Sequence, residues 1–252
     1  MKTSAALAAL AFGITTSHVS AQQAGSTLPV TTFESGETQS MLIELFTSEG
    51  CSSCPPAEKW LSALQSNQDL WKKIVPVAFH VDYWDRLGWR DRFAKPQFTS
   101  RQQRYAAAWS GDSVYTPGFV VNGKEWRSWF VGNVTPASST KVGVFRLSLG
   151  GSGKLSARYV PETKQPRELA LDVALLGNNL ESDVKRGENS GRKLRHDFVV
   201  LDLINIDMAN ESNAWTGSVV LPIGTGGDKP TALAAWITEN GTPIQATGGW
   251  LR

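Results

Sequence analysis

The sequence predicts an α/β layer in its N-terminal part and an antiparallel β-rich region in its C-terminal part. Three observations lead there. The stretch Met41 to Thr47, apolar except for Glu44, runs into Gly50-Cys51-Ser52-Ser53-Cys54-Pro55-Pro56 and then into helix-patterned sequence. A second apolar stretch, Ile74 to Val81, follows that helix, giving a strand–helix–strand order that closes as a right-handed crossover. Beyond residue 140 helical spacing disappears and short alternating runs separated by turn residues take over.

The start of the chain sets the expected compartment. Met1-Lys2 is a short basic start, Ala5 to Thr15 is an uncharged and mostly apolar run, and His18-Val19-Ser20-Ala21 ends in small residues. That is the pattern of a secretory signal peptide (1–21) cleaved after Ala21. The expected product is periplasmic or secreted, in an oxidising compartment where a disulfide persists. No later run approaches the ~18 apolar residues of a membrane span. A formal net charge of +2 gives no reason to expect a nucleic-acid partner. Ten Trp residues in 252 suit either an aromatic core or an aromatic-lined groove.

Residues 22–38 read as a loose polar leader, followed by a domain over 39–135. Met41–Thr47 is its first strand, and Ala57 to Gln65 a helix with Trp60, Leu61 and Leu64 on one face. Ile74–Val81 is the second strand, and Arg90 to Trp109 is helix-forming with Pro96 starting or breaking it. Val114 to Asn122 turns through Thr116-Pro117-Gly118 into a third strand, and Asn122-Gly123 marks a hairpin. A Ser/Thr/Pro linker at 135–140 leads to a β-rich domain over 141–252. Its strands are expected at Val142–Leu149, Lys154–Val160, Glu168–Leu176, His196–Ile206, Ala214–Leu221 and Ala232–Thr238, which suggests a sandwich.

Chemistry centres on the only two cysteines, Cys51 and Cys54. Closing so short a loop stabilises a fold little, so a structural staple is a poor explanation. Redox exchange and metal binding remain. A strand enters the motif and a helix leaves it, which places Cys51 at a helix N-terminus. Unpaired N–H groups and the helix dipole favour a thiolate there, below the usual pKa of about 8.5. Cys51 is then expected as an exposed nucleophile and Cys54 as the resolving thiol. Pro55 and Pro56 suit the first turn, where a missing N–H costs nothing. The metal alternative joins Cys51 and Cys54 to His80 or Asp82 and takes copper or zinc.

The stretch Leu45 to Pro56, with His80-Val81-Asp82-Tyr83-Trp84-Asp85, resembles the exported bacterial family described as domain of unknown function 1223. Gly187-Glu188-Asn189 and Leu194-Arg195-His196 resemble its C-terminal portion. The resemblance implies membership of the thioredoxin-like superfamily. It thus implies a thioredoxin-like N-terminal domain followed by an antiparallel β-sandwich-like C-terminal region. Ordinary thioredoxins differ: Gly50 stands where they have Trp, and Ser52-Ser53 replaces Gly-Pro, so no reduction potential is carried over. Thr116-Pro117 is similar to their cis-proline element, and a cis Pro117 is expected beside the cysteines. Glu44 is similar to their buried Asp and is expected either to accept the Cys54 proton or to face solvent.

Thr116, Tyr83 and Trp84 are expected to line a substrate groove, or the aromatic residues merely cap the core. The expected activity is thiol–disulfide exchange with protein or small-molecule thiols, with no cofactor. A copper or zinc binder and a non-catalytic binding module are the competing readings.

Overall fold

The computed structural model describes residues 30–131, 138–162, 168–223 and 227–251. The expected signal peptide (1–21), the first part of the polar leader and residues 135–137 of the linker lie outside them.

The order begins β1 (Thr31–Glu34), β2 (Met41–Thr47), α1 (Pro55–Ala63), β3 (Ile74–His80), α2 (Pro96–Ala108), β4 (Gly118–Val121) and β5 (Lys124–Glu125). It continues β6 (Gly143–Leu149), β7 (Lys154–Pro161), β8 (Leu169–Gly177), β9 (Leu180–Asp183) and β10 (Lys193–His196). The last elements are β11 (Val199–Asp207), β12 (Ala209–Glu211), β13 (Ala214–Val220), β14 (Ala232–Glu239) and β15 (Thr242–Trp250). Local chemistry sets several boundaries. Pro55 and Pro96 open α1 and α2 at positions where a helix needs no N–H. Asn122 and Gly123 both take positive φ, +46° and +80°, as the tight turn between β4 and β5 demands.

One eight-stranded sheet runs β15-β14-β8-β11-β3-β2-β4-β5. The β2–β3 and β3–β11 pairs are parallel and the remaining ones antiparallel. A five-stranded antiparallel sheet, β1-β6-β7-β13-β12, covers part of it, and β9–β10 form a separate two-stranded ribbon. The side chains of β8 and β14 divide between two cores in strict alternation. Leu171, Val173, Leu175, Leu233, Ala235 and Ile237 face the five-stranded sheet. Ala174, Leu176, Ala232, Ala234 and Trp236 join the core built around β2, β3, α1 and α2. A strand buried on both faces reads as a continuous apolar run, which is how these segments look in sequence.

This architecture corrects the expected fold class. Among the described residues strand outweighs helix, 46% to 15%, and the protein is not a thioredoxin-like α/β domain with a β-sandwich appended. The expected N-terminal strands are half of a larger sheet, because the outer edge of β3 is taken by β11. The Val199↔Ala78 pairing and the Ala78 N–H to Phe198 carbonyl bond of 2.8 Å make that seam. So few hydrogen bonds leave packing to hold it: Phe198, Val200 and Phe79 are fully buried there, and Trp71 meets Phe198 edge-on at 5.8 Å. Each such side chain contributes about 1.5–3 kcal/mol on burial.

The six expected C-terminal strands form, with one division. The His196–Ile206 run breaks at Phe198, whose φ is +57°, into β10 and β11. The break places His196 on the ribbon instead of the main sheet.

Candidate functional site

The turn after β2 is held by its own backbone and by one hydroxyl. Cys51 N–H reaches Ser48 O at 3.1 Å, Gly50 N–H reaches Ser48 Oγ at 3.1 Å, and Cys54 N–H reaches Cys51 O at 3.3 Å. Cys54 caps α1, and Cys51 and Cys54 are joined as a disulfide. Both cysteines are fully buried, which corrects the expectation of an exposed Cys51. A turn from the other half of the chain lies against them. The Asn189 amide donates to Glu49 O and Cys51 O, each at 2.9 Å, and accepts from Arg192 at 2.7 Å. Beside it the Glu188 carboxylate accepts from Ser52 N–H at 3.0 Å and Ser52 Oγ at 2.7 Å. The Ser52 bonds hold the Glu188 carboxyl below its ordinary range.

The Thr116–Pro117 bond is cis, as expected. Trp84 connects that bond to the cysteine turn. Its Nε1 donates to Thr116 Oγ1 at 2.8 Å, and its Cβ lies 3.0 Å from where a side chain at Gly50 would begin. A Cβ at position 50 meets that atom, so the residue before Cys51 must be small for Trp84 to sit here. Tyr83, also in the helical turn Asp82–Leu87, donates to Gln102 at 3.3 Å, and burial pushes its phenol up to about 12. On its other side Pro117 borders a groove with Tyr115, Phe119, Trp126, Trp129 and Phe130, and Phe130 is 70% exposed.

Glu44 is fully buried, and both its oxygens are engaged, by Arg101 Nε at 2.6 Å and Tyr105 OH at 2.5 Å. The solvent-facing alternative is thereby removed. Arg101 stacks against Phe79, Tyr105 and Trp236 as well.

A second buried polar group stands around His80, at the end of β3, and His196, at the end of β10. Their rings meet edge-on with centroids 5.1 Å apart, and Phe93 packs on both. His80 Nδ1 lies 2.7 Å from Asp91, which also accepts from the Glu49 and Phe93 N–H groups at 2.9 Å. His196 Nδ1 lies 2.7 Å from Glu58, whose other oxygen accepts from Thr47 at 2.5 Å. His196 Nε2 lies 3.4 Å from Glu49 Oε1 without hydrogen-bond alignment, while Glu49 Oε2 accepts from Trp89 at 2.6 Å. Burial pushes the three carboxyls up, but the imidazoles and hydrogen bonds overcome it and leave all three below their ordinary values. Burial pushes His196 down, and Glu58 and Glu49 outweigh it, raising it to about 10.

The metal alternative of the sequence is not the set assembled here. The structure gathers His80 with Glu58 and His196, while Asp82 accepts from Thr99 at 2.6 Å. Sequence reasoning gave no role to Glu49, Glu58, His196 and Asn189, although all but Glu58 stand in the stretches that carry the family resemblance. One signal was present: Glu58 follows Cys54 by four residues, one turn along the same face of α1.

Fold and site together define a class: a two-core, mostly β protein with a buried disulfide opening a helix beside a histidine–carboxylate cluster. The chain belongs to the family described as protein of unknown function (DUF1223), whose profile matches residues 42–238. Its fold is shared with a structural-genomics protein of Agrobacterium tumefaciens at TM-score 0.58 and 23% identity, covering 86% of this chain and 95% of that one. It is shared also with HBP35 of Porphyromonas gingivalis at TM-score 0.61 and 15% identity, covering 86% of this chain and 76% of that one. No curated protein matches the chain. None of its described helices is long and apolar enough to cross a membrane.

Proposed function

We propose that the protein is an exported thiol–disulfide oxidoreductase working through Cys51 and Cys54. The observation that carries this is the disulfide itself. It links residues three apart at the start of a helix, where a cross-link contributes at the low end of disulfide stabilisation, about 2 kcal/mol or less. Such a bond has more to offer as an acceptor of two electrons. A partner thiolate attacks one sulfur, a mixed disulfide forms, and the other cysteine leaves as a thiolate. A second partner thiolate then breaks the mixed disulfide, so the pair is reduced and the partner oxidised, and the reverse sequence runs the other way. The α1 N-terminus favours the thiolate that departs.

Protein or small-molecule thiols are the partners of this reading. The groove that Pro117 borders with Tyr115, Trp126 and Phe130 is where their flanking groups would rest, while Thr116, Tyr83 and Trp84, expected in that role, stand outside its lining. Exchange needs access, so the 187–191 turn has to lift from Cys51. If Glu44 takes the Cys54 proton, it first releases Arg101 or Tyr105. Export rests on the basic, apolar and small-residue succession in residues 1–21.

Equilibration in glutathione buffers containing a chelator, followed by thiol trapping, tests the proposal. The expected result is one two-electron couple between about −120 and −270 mV, abolished by Cys51→Ser. A pair that never exchanges with glutathione in folded protein sinks it.

A further inference from the structure

We infer that Glu58, His80 and His196, with Glu49 beside them, form a site for a divalent first-row transition metal such as Zn2+, separate from the cysteine sulfurs. One ligand atom from each of Glu58, His80 and His196 lies within 4.8 Å of the others. All three side chains are buried, and both histidines are only 1% exposed.

The second observation is a buried nitrogen with nothing to bond, His80 Nε2, next to a pair that meets only as ions, His196 Nε2 and Glu49 Oε1 at 3.4 Å. Leaving a buried nitrogen such as His80 Nε2 unpaired costs about 1–3 kcal/mol, and packing alone does not explain it beside a carboxylate-rich cluster. The rest of each side chain is held. His80 is fixed through Nδ1 by Asp91, which backbone N–H groups fix in turn. Glu49 is fixed through Oε2 by Trp89. A carboxylate on the far nitrogen of an imidazole is how metal-binding histidines are oriented and made more basic. His80 Nε2 is thus free for a cation on a side chain with little freedom to lose, while Glu58 exchanges its bond from Thr47 or His196 for the metal.

Charge points the same way. Three carboxylates, Glu49, Glu58 and Asp91, are buried around two imidazoles, and a dication offsets the excess of negative charge. Two imidazoles with carboxylate oxygens form a donor set that suits zinc and its neighbours in the first row. A bound cation takes the place of one ring proton of His196, which is released to solvent. The buried Glu44–Arg101–Tyr105 group lacks these features: its carboxylate is saturated and its cation is supplied by the protein.

The test uses chelator-treated protein with its disulfide intact. Co2+ titration followed by absorbance should show one equivalent bound per chain, with metal-centred bands and no sulfur-to-metal charge transfer. Zn2+ titrated by calorimetry should bind with the same stoichiometry. His80→Gln and His196→Gln should each weaken binding by at least about tenfold. Cys51→Ser/Cys54→Ser should bind as the parent does. Because the histidine variants remove buried pairs, a readout on the unaltered chain stands beside them: Zn2+ should move the imidazole 15N resonances of His80 and His196. The inference falls if folded parent protein takes up no Co2+ or Zn2+. It falls equally if those resonances stay in place, if folded histidine variants bind unchanged, or if uptake needs the cysteines.

Discussion

Two groups of buried charge sit against the same sheet and are built on opposite terms. Around Glu44 every polar atom of the carboxylate is answered: Arg101 and Tyr105 fill its two oxygens, and aromatic rings close over the guanidinium. Around His80 and His196 the hydrogen bonds are strong but incomplete, with His80 Nε2 left over and His196 Nε2 meeting Glu49 only as an ion pair. A closed set of partners reads as part of the scaffold, because nothing in it has spare capacity. An open set beside a disulfide reads as chemistry in waiting. Burial is the same in both, so saturation, not depth, separates them.

The largest expected effect breaks the closed group. Arg101→Met leaves the Glu44 carboxylate buried with the Tyr105 hydroxyl but no counter-charge and should cost about 3–5 kcal/mol in urea denaturation. Adding Glu44→Gln to that variant should recover part of the loss, since an uncompensated charge is worse than none.

His196→Gln sharpens the other side. In chelator-treated protein it should cost about 1–3 kcal/mol near neutrality and flatten the alkaline limb of stability. The sign follows from the folded value of about 10 against 6.5 for a free imidazole. Protonated His196 therefore contributes in full below pH 6.5, and the contribution drains away as pH rises through 10. Glu49, Glu58 and Asp91, held low, act oppositely, and their contribution fades as pH falls below the ordinary carboxylate range. A parent protein whose stability is flat from pH 7 to 11 would contradict this arrangement.

Smaller still is the effect of opening the disulfide, which should lower stability by no more than about 2 kcal/mol, measured by denaturation with and without reductant. Of similar size is Asn189→Ala, costing about 1–2 kcal/mol through three lost hydrogen bonds. It should nevertheless speed reduction of the Cys51–Cys54 bond by a small-molecule thiol several-fold, because the turn over it is released.

Local features were legible in the sequence wherever local chemistry decides them. Pro96 opens α2, Asn122-Gly123 makes its hairpin, and the cis bond at Pro117 falls where the resemblance placed it. Long-range pairing was not legible. Nothing in Ile74 to Val81 announces that its outer edge will accept Val199 instead of water, and that single junction brings strands from both halves of the chain into one sheet. The site divided in the same way. Cys51, Cys54 and Trp84 stand in one stretch of pattern, whereas His196 and Asn189 come from beyond residue 180 and had only family resemblance to mark them. Their meaning depends on where β10 ends, and the strand run His196–Ile206 gave no sign that it would break at Phe198.

The hold of Asn189 on Cys51 spans 138 residues of chain. At a ribosomal pace of about 5–20 residues per second, the cysteines wait roughly 7–28 s before their cover is even synthesised. Throughout that interval the cysteine turn lacks the side chain that covers it in the finished fold.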